Sequence, residues 1–427
     1  MNKSLRRTYL GFYQNELTNN ILSFWLPRCE DKINGGYFNC YTNNGDRLVS
    51  TDKYIWSQGR FVWMFSKLST MRMFTKAQRE EFLRLAGVGA HFLLDHCLIR
   101  DDGPIRCTFL TDQTGNPKLV AGGDRLDMSI YADCFVIAGL GKYAASTENR
   151  TVFEFARTLY DSAISLYRAG TFQTMPYPLS PHLRAHGLPM IFQNVARELY
   201  DAAVLFDADF AGILLSDMDN CSTDILDHFT DECSLVHEVI TGDNRFFNTM
   251  LGQHINPGHT IEDIWFHVDT ADLTGHPERL DQLASIAKAT LETGWDVEYG
   301  GILHFADIRG GEPRYPFGDT VDEPMSKQIS GWGDKLWWVH SEALYTTMLL
   351  YTRTGDEVFL DWHNRVMDYT FSTFPNPDGE LREWIQIRKR DGSPQDKVVA
   401  LPVKDPYHIV RNLALLIELL EEWEDAC

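Results

Sequence analysis

The chain has 427 residues, 44% of them hydrophobic and 12% aromatic, which supplies a sizeable core and excludes a disordered composition. With 39 basic against 60 acidic residues, its formal net charge of −21 repels nucleic-acid backbones and anionic lipid surfaces, so neither is an expected partner. No run of about eighteen apolar residues occurs and the N-terminal stretch MNKSLRRTYLGFYQNEL lacks an apolar h-region, so the protein reads as soluble and cytoplasmic, with no membrane span.

Amphipathic helical periodicity, with apolar residues returning every three or four positions, runs through the chain. In order it predicts helices over 8–29, 60–74, 80–98, 129–146, 152–167 and 191–206, a helical stretch over 260–266, then helices over 278–295, 341–355, 357–374 and 409–423. Between them, 31–46, 100–116, 296–311 and 377–392 each set a short apolar or aromatic alternation between glycine-containing turns, the pattern of a small hairpin capping a helix pair. No Pro/Ser-rich linker interrupts the series, so residues 1–427 read as a single all-α domain. The wide, irregular repeat favours a toroid of helical hairpins whose inner helices face a central cleft. Eight cysteines show neither a CxxC pair nor zinc-ligand spacing and read as reduced, buried thiols; no metal and no cofactor is expected.

Two runs set one histidine among residues suited to proton transfer. In NPGHTIEDIWF, Pro257 and Gly258 break the chain before a helix, and His259 shares a helical face with Glu262, where the carboxylate could orient the imidazole or hold a sugar hydroxyl. In PVKDPYHIVR, Pro402 and Pro406 force an extended lead-in to His408 at the start of the last helix, flanked by Lys404 and Arg411. The run KYIWSQGRFVWMF presents Arg60 among aromatic residues, suited to gripping sugar oxygens, and KLWWVHSEALY offers Trp337, Trp338, His340 and Glu342. Each also has a structural reading: a capped helix start, a packed imidazole, a paired arginine or core tryptophans. The histidines at 91, 96, 182, 228, 237, 276 and 363 sit singly and are assigned no role. No GxSxG elbow, P-loop, Rossmann fingerprint or HExxH motif is present.

Taken together, GGYFNCYTNNGD, KYIWSQGRFVWM, LPMIFQNVARELY, NPGHTIEDIWF, LETGWDVEYGGILHF, KLWWVHSEA and KDPYHIVR resemble the N-acylglucosamine 2-epimerase family, also called the renin-binding protein family, over nearly the whole chain. The resemblance implies an (α/α)6 barrel and a cofactor-independent sugar 2-epimerase. It places the acid/base histidines at His259 and His408, the sugar-contacting arginine at Arg60 and the helical glutamate at Glu262. By the same resemblance Trp337, Trp338, Lys404 and Arg411 match family positions and, with Tyr131 and Asn194, are expected to line the pocket and bind the sugar; a homodimer is admitted. Asn194 stands where cellobiose 2-epimerases and aldose-ketose isomerases carry a third histidine, which favours 2-epimerisation, whereas Tyr131 is of the cellobiose type. The loop DPYHIVR departs from the usual GCFHVPR, which leaves the acyl group of the substrate open. The expected substrates are N-acetylglucosamine and N-acetylmannosamine or a close aldose pair such as glucose and mannose. Alternatives are a mannose-type isomerase, a glycoside hydrolase pairing Asp133 with Glu262 or Glu342, and a non-catalytic protein-binding member.

Overall fold

The computed structural model describes residues 3–314 and 329–425. Helix α1 (Lys3–Asn15) passes through a π-helical stretch (Glu16–Leu22) into the short α2 (Ser23–Trp25). There follow α3 (Ile55–Leu68), α4 (Lys76–His96), α5 (Ile130–Thr147), α6 (Arg150–Ala169), α7 (Gly187–Phe206) and α8 (Ala208–Asp224). The second half holds α9 (Pro257–Thr274), α10 (Arg279–Gly294), α11 (Trp337–Thr354), α12 (Glu357–Thr373) and α13 (Tyr407–Asp425).

Neighbour contacts among the odd-numbered helices close on themselves: α3 packs on α5, α5 on α7, α7 on α9, α9 on α11, α11 on α13 and α13 back on α3. Each also holds a second helix, α4, α6, α8, α10, α12 and α1 respectively. Burial separates the two sets. Helix α11 buries residues on all its faces, as a helix enclosed by protein does, whereas α6 and α10 bury one stripe at three- and four-residue spacing. The tightest approach joins α3 to α5. A Cβ on Gly59 would lie 2.2 Å from the Phe135 carbonyl oxygen, and one on Gly139 would lie 2.3 Å from the Gly59 oxygen, so only glycine lets these backbones meet.

Periodicity finds the other long helices but not α8, whose buried Phe210, Leu214, Met218 and Cys221 are interleaved with Asp, Ser and Asn, residues that compete with the helical backbone. It also shortens α9, which extends from Pro257 to Thr274 and stops at Gly275 in the left-handed conformation.

The expected hairpins shrink to isolated antiparallel bridges, among them Glu30 with Tyr37, Leu98 with Cys107, Trp295 with Ile302 and Pro375 with Trp384, and a similar bridge joins Thr230 to Val236. The strands instead link one connecting segment to the next. β1 (Lys53–Tyr54) pairs with β2 (Leu110–Thr111), β3 (Leu183–Ala185) with β4 (Val239–Thr241), β5 (His254–Ile255) with β6 (Ala306–Asp307), and β7 (Lys335–Leu336) with β8 (Ile387–Arg388). A buried ion pair recurs at two of these corners: Lys53 Nζ lies 2.9 Å from Asp31 and Lys335 Nζ 3.0 Å from Asp296, each aspartate also closing its glycine turn through its backbone N–H.

Cys29, Cys40, Cys97, Cys107, Cys134 and Cys221 are free and buried, as expected. Cys233 is exposed instead: it sits in the turn that Asp231 closes by accepting its N–H, and Leu235 takes the buried position. Cys427 lies outside the described residues. Among the described residues no helix is long and apolar enough to cross a membrane.

Candidate active site

The inner helices α3, α5, α7, α9, α11 and α13 begin around one cleft. Its lining enters largely from their first two turns: Trp56 and Arg60 on α3, Tyr131 and Phe135 on α5, Gly187 and Met190 on α7, His259 and Glu262 on α9, Trp337 and Trp338 on α11, and His408 on α13. Val399, Leu401, Val403 and Asp405 complete the wall. Helix N-termini carry unpaired N–H groups and partial positive charge, so this convergence favours negative charge developing in the cleft.

Asn256 caps α9, accepting the His259 N–H at 3.2 Å, and this fixes His259 in the first turn with its ring a quarter exposed to the cleft. His259 Nδ1 lies 2.9 Å from Oε1 of Glu238, which stands one residue before β4. A carboxylate only accepts, so Nδ1 carries the proton and the Nε2 lone pair is left for the cleft. Burial pushes the Glu238 carboxyl up, but the adjoining His259 and His186 outweigh it and hold the group well below the usual range, hence ionised.

His408 is built alike. Its Nδ1 lies 2.7 Å from Glu342 Oε1, while its Nε2 lies 3.2 Å from Arg60 Nη2. A guanidinium only donates, so Arg60 and Glu342 favour the same tautomer, Nδ1–H with an Nε2 lone pair; Arg411 Nη2 also lies 3.2 Å from Nδ1, but its shorter contacts to Glu262 and Glu342 take its N–H groups. Arg60 pairs through Nη1 with Asp405 and lies over the rings of Phe135, Tyr407 and Trp56 at 4.1, 5.0 and 5.2 Å. Glu342 is wholly buried. Burial raises its pKa, but Arg411 and His408 bring it down to about 2, and Trp265 Nε1 donates to it at 3.0 Å.

The indole of Trp338 touches both imidazoles, its centroid 5.5 Å from that of His259 and 5.6 Å from that of His408. Gly258 makes room for it: a Cβ there would lie 2.5 Å from Trp338 Cη2.

Of the residues anticipated from sequence, His259, His408, Arg60, Glu262, Tyr131, Trp337 and Trp338 meet in this cleft. Three do not line it. Asn194 is buried one turn beyond Met190 in α7; Lys404 is buried against Glu383 at 2.5 Å; Arg411 is buried behind the wall, 2.5 Å from Glu342 and paired with Glu262. The carboxylate on His259 is accordingly Glu238, whereas Glu262 is drawn to Arg411 and stands 3.8 Å from His408 Nδ1. Asp133, the hydrolase candidate, is buried outside the lining, accepts the Cys107 N–H at 2.7 Å, and is raised by burial to about 7. His340 donates from Nδ1 to the Leu336 carbonyl and accepts the Ile302 N–H at Nε2, a structural role.

Two clusters, His186 with Glu238 and His259, and Glu262 with Glu342 and His408, bring ligand-type atoms close enough for a metal ion. In both, the histidine Nδ1 is engaged by a carboxylate, and the Arg411 guanidinium lies inside the second, repelling a cation.

This helical arrangement recurs in solved structures of other proteins. Cellobiose 2-epimerase from Spirochaeta thermophila superposes with a TM-score of 0.76 at 17% identity, over 99% of both chains. A D-mannose isomerase gives 0.74 at 17% identity over 96% of this chain and 97% of that one. N-acylglucosamine 2-epimerase of Bos taurus is 29% identical over 403 residues, 94% of this chain and 88% of the relative. The sequence model described as N-acylglucosamine 2-epimerase (GlcNAc 2-epimerase) matches residues 36–412, and the chain belongs to that family of carbohydrate epimerases.

Proposed function

We propose that residues 1–427 form one (α/α)6 barrel that epimerises a free reducing monosaccharide at C2. The substrate pair is N-acetylglucosamine and N-acetylmannosamine, or a close aldose pair such as glucose and mannose. The observation that carries this reading is the matched pair of imidazoles on one cleft, each with Nδ1 on a buried glutamate and Trp338 against both rings.

In the opened sugar, the carbonyl at C1 acidifies the C2 hydrogen. One histidine, neutral, takes that proton on Nε2; the electron pair moves to O1 and leaves an enolate, which is an enediolate where C2 carries a hydroxyl; the other, as imidazolium, returns a proton to C2 from the opposite face. Arg60 and the converging helix N-termini stabilise the charge on O1, where preorganised donors act most strongly. Glu238 and Glu342 orient the imidazoles and stabilise whichever cation forms.

The test is proton NMR of each candidate sugar with the enzyme in deuterated water. Deuterium at C2 of both epimers, with His259→Ala and His408→Ala each nearly inactive, is the expected result. A ketose product reassigns the chain to isomerisation, since the same enediolate reprotonated at C1 gives one; release of reducing ends from oligosaccharides without C2 exchange overturns the reading in favour of hydrolysis. Among the described residues the carboxylates at the cleft are each held by an arginine, Glu262 and the buried Glu342 by Arg411 and Asp405 by Arg60, which does not favour that chemistry.

A further inference from the structure

Behind His259 a file of buried polar groups leads away from the cleft, and beyond Glu238 none of it belongs to the mechanism above. Glu238 spends Oε1 on His259; its Oε2 faces His186 Nδ1 at 3.6 Å, an ion-pair distance just beyond hydrogen-bond reach. His186, fully buried at the entry to α7, sets Nε2 2.8 Å from Asp263 Oδ2 and also ties its backbone N–H to the Glu238 carbonyl at 2.9 Å. The same Asp263 oxygen lies 3.0 Å from His267 Nε2, and His267 Nδ1 lies 2.8 Å from Ser222 Oγ, which Arg279 reaches at 3.0 Å. His186 thus has a carboxylate on each ring nitrogen. Such a site favours the imidazolium, because a neutral ring donating from Nε2 to Asp263 would turn its Nδ1 lone pair toward the Glu238 carboxylate.

We infer that His186 is a buried cation that acts through Glu238 as the positioning residue of His259. The inference rests on the two-histidine reading above. Without the cation, Glu238 would be a buried carboxylate shared with nothing but His259, and its orientation and pull on the Nδ1 proton would both change. His408 has no histidine in this place; Arg411 serves its glutamate instead. The two acid/base groups are therefore matched in tautomer but backed by different cations, one of which can lose its proton. Burial lowers the His186 pKa, but the hydrogen bond to Asp263 and the charges of Asp263 and Glu238 more than offset this and raise it to about 9. Asp263 agrees: burial raises it, His267 and His186 bring it below the usual range.

Other titratable groups facing this assembly are Tyr131 from α5, Tyr177 from the segment before β3, His254 from β5 and His304 from the segment before β6. Burial raises the pKa of both tyrosines and lowers that of both histidines, so all four stay neutral near pH 7 and leave His186 as the charge that differs between wild type and variant.

The experiment compares His186→Gln, Glu238→Gln and the double variant with wild type, by C2 deuterium uptake across pH 5–9. Acting through Glu238, His186→Gln lowers kcat about 10- to 100-fold, the usual loss when a ligand's supporting partner is removed, with KM within about twofold. Its acid limb moves to higher pH, since Glu238 then holds the His259 proton more tightly. The double variant is no slower than Glu238→Gln alone, as expected for groups that act as a unit. A kcat within threefold of wild type, an unmoved acid limb, or multiplying losses in the double variant would each overturn the inference. A second measurement does not need the variants to fold: nitrogen-15 NMR of histidine-labelled wild type shows His186 with both ring nitrogens protonated at pH 7, and a neutral ring there refutes it. Inactivity of the wild type toward every C2 sugar, or an active His259→Ala, would instead sink the two-histidine reading.

Discussion

Replacing Glu238 by glutamine tests the tautomer argument with the loss of one charge and almost no volume. In the native cleft, Glu238 Oε1 accepts the His259 Nδ1–H at 2.9 Å inside a buried pocket, a charge-assisted hydrogen bond. Such bonds contribute about 1.5–3 kcal/mol, and at ~1.4 kcal/mol per decade losing the charge alone lowers turnover about 10- to 100-fold. The amide adds a second effect, because its NH2 can donate to Nδ1 and move the ring proton to Nε2, where the base is needed. Where an orienting carboxylate is changed to its amide and the tautomer is lost, the drop reaches about 10⁴. Glu238→Gln is therefore expected to turn over ~10²–10⁴ times more slowly with KM nearly unchanged, read from the initial rate of C2 deuterium incorporation. Turnover within fivefold of wild type, in a variant whose circular dichroism is native, would show that Glu238 does not orient the base.

Gly258→Ala puts a methyl 2.5 Å from Trp338 Cη2 and 2.7 Å from Val339 Cγ2, so the indole between the imidazoles must shift; turnover falls, with a changed tryptophan emission, and unchanged values in both would contradict the close approach. Gly59→Ala places a Cβ 2.2 Å from backbone at Phe135, and overpacking against a carbonyl that cannot swing aside costs about 3 kcal/mol or more; a thermal midpoint equal to wild type would rule this out. Asp133 supplies a pH signature. Its folded pKa, about 7, lies above its unfolded value near ~3.9, so its contribution to stability is intact below the unfolded value and is lost as pH rises through 7. Asp133→Asn, whose amide oxygen can still accept the Cys107 N–H, is expected to narrow the gap in urea midpoint between pH 5 and pH 8, and an unaltered gap would count against it. Glu342 and Asp31 have the opposite sign. Both lie near 2 when folded: burial raises each, and Arg411 with His408, or Lys53 with the turn N–H groups, outweighs it. Their stabilisation is full above the unfolded values and is lost as pH falls toward 2, which acid titration of the fold by circular dichroism measures.

The parts of this architecture visible in sequence are those with a short-range signature. Helix periodicity marks α3 to α7 and α10 to α13, and the Pro-Gly and Asp-Pro breaks correctly set His259 and His408 in the first turns of their helices. What stayed hidden depends on partners distant in the chain. Glu262 sits three residues from His259, yet nothing local reveals that Arg411 claims it. Glu238 follows the segment TDECSLV, which closes with Asp231 and a left-handed Ser234 in place of the glycine turns seen elsewhere, so the repeat that would have located it is masked. The aspartate that opens each such turn, Asp231 like Asp31 and Asp296, is a signal that could have found it. His186 and His267 are single histidines in apolar runs, and only folding sets Asp263 between them.

Most of the cleft wall enters from the opening turns of the inner helices, while their far ends lie outside its lining. Substrate choice and scaffold strength are thereby written into separate stretches of chain. Grafting the connecting segments that precede α5, α7 and α13 from a relative with another preference is a route to retune the enzyme without rebuilding its core.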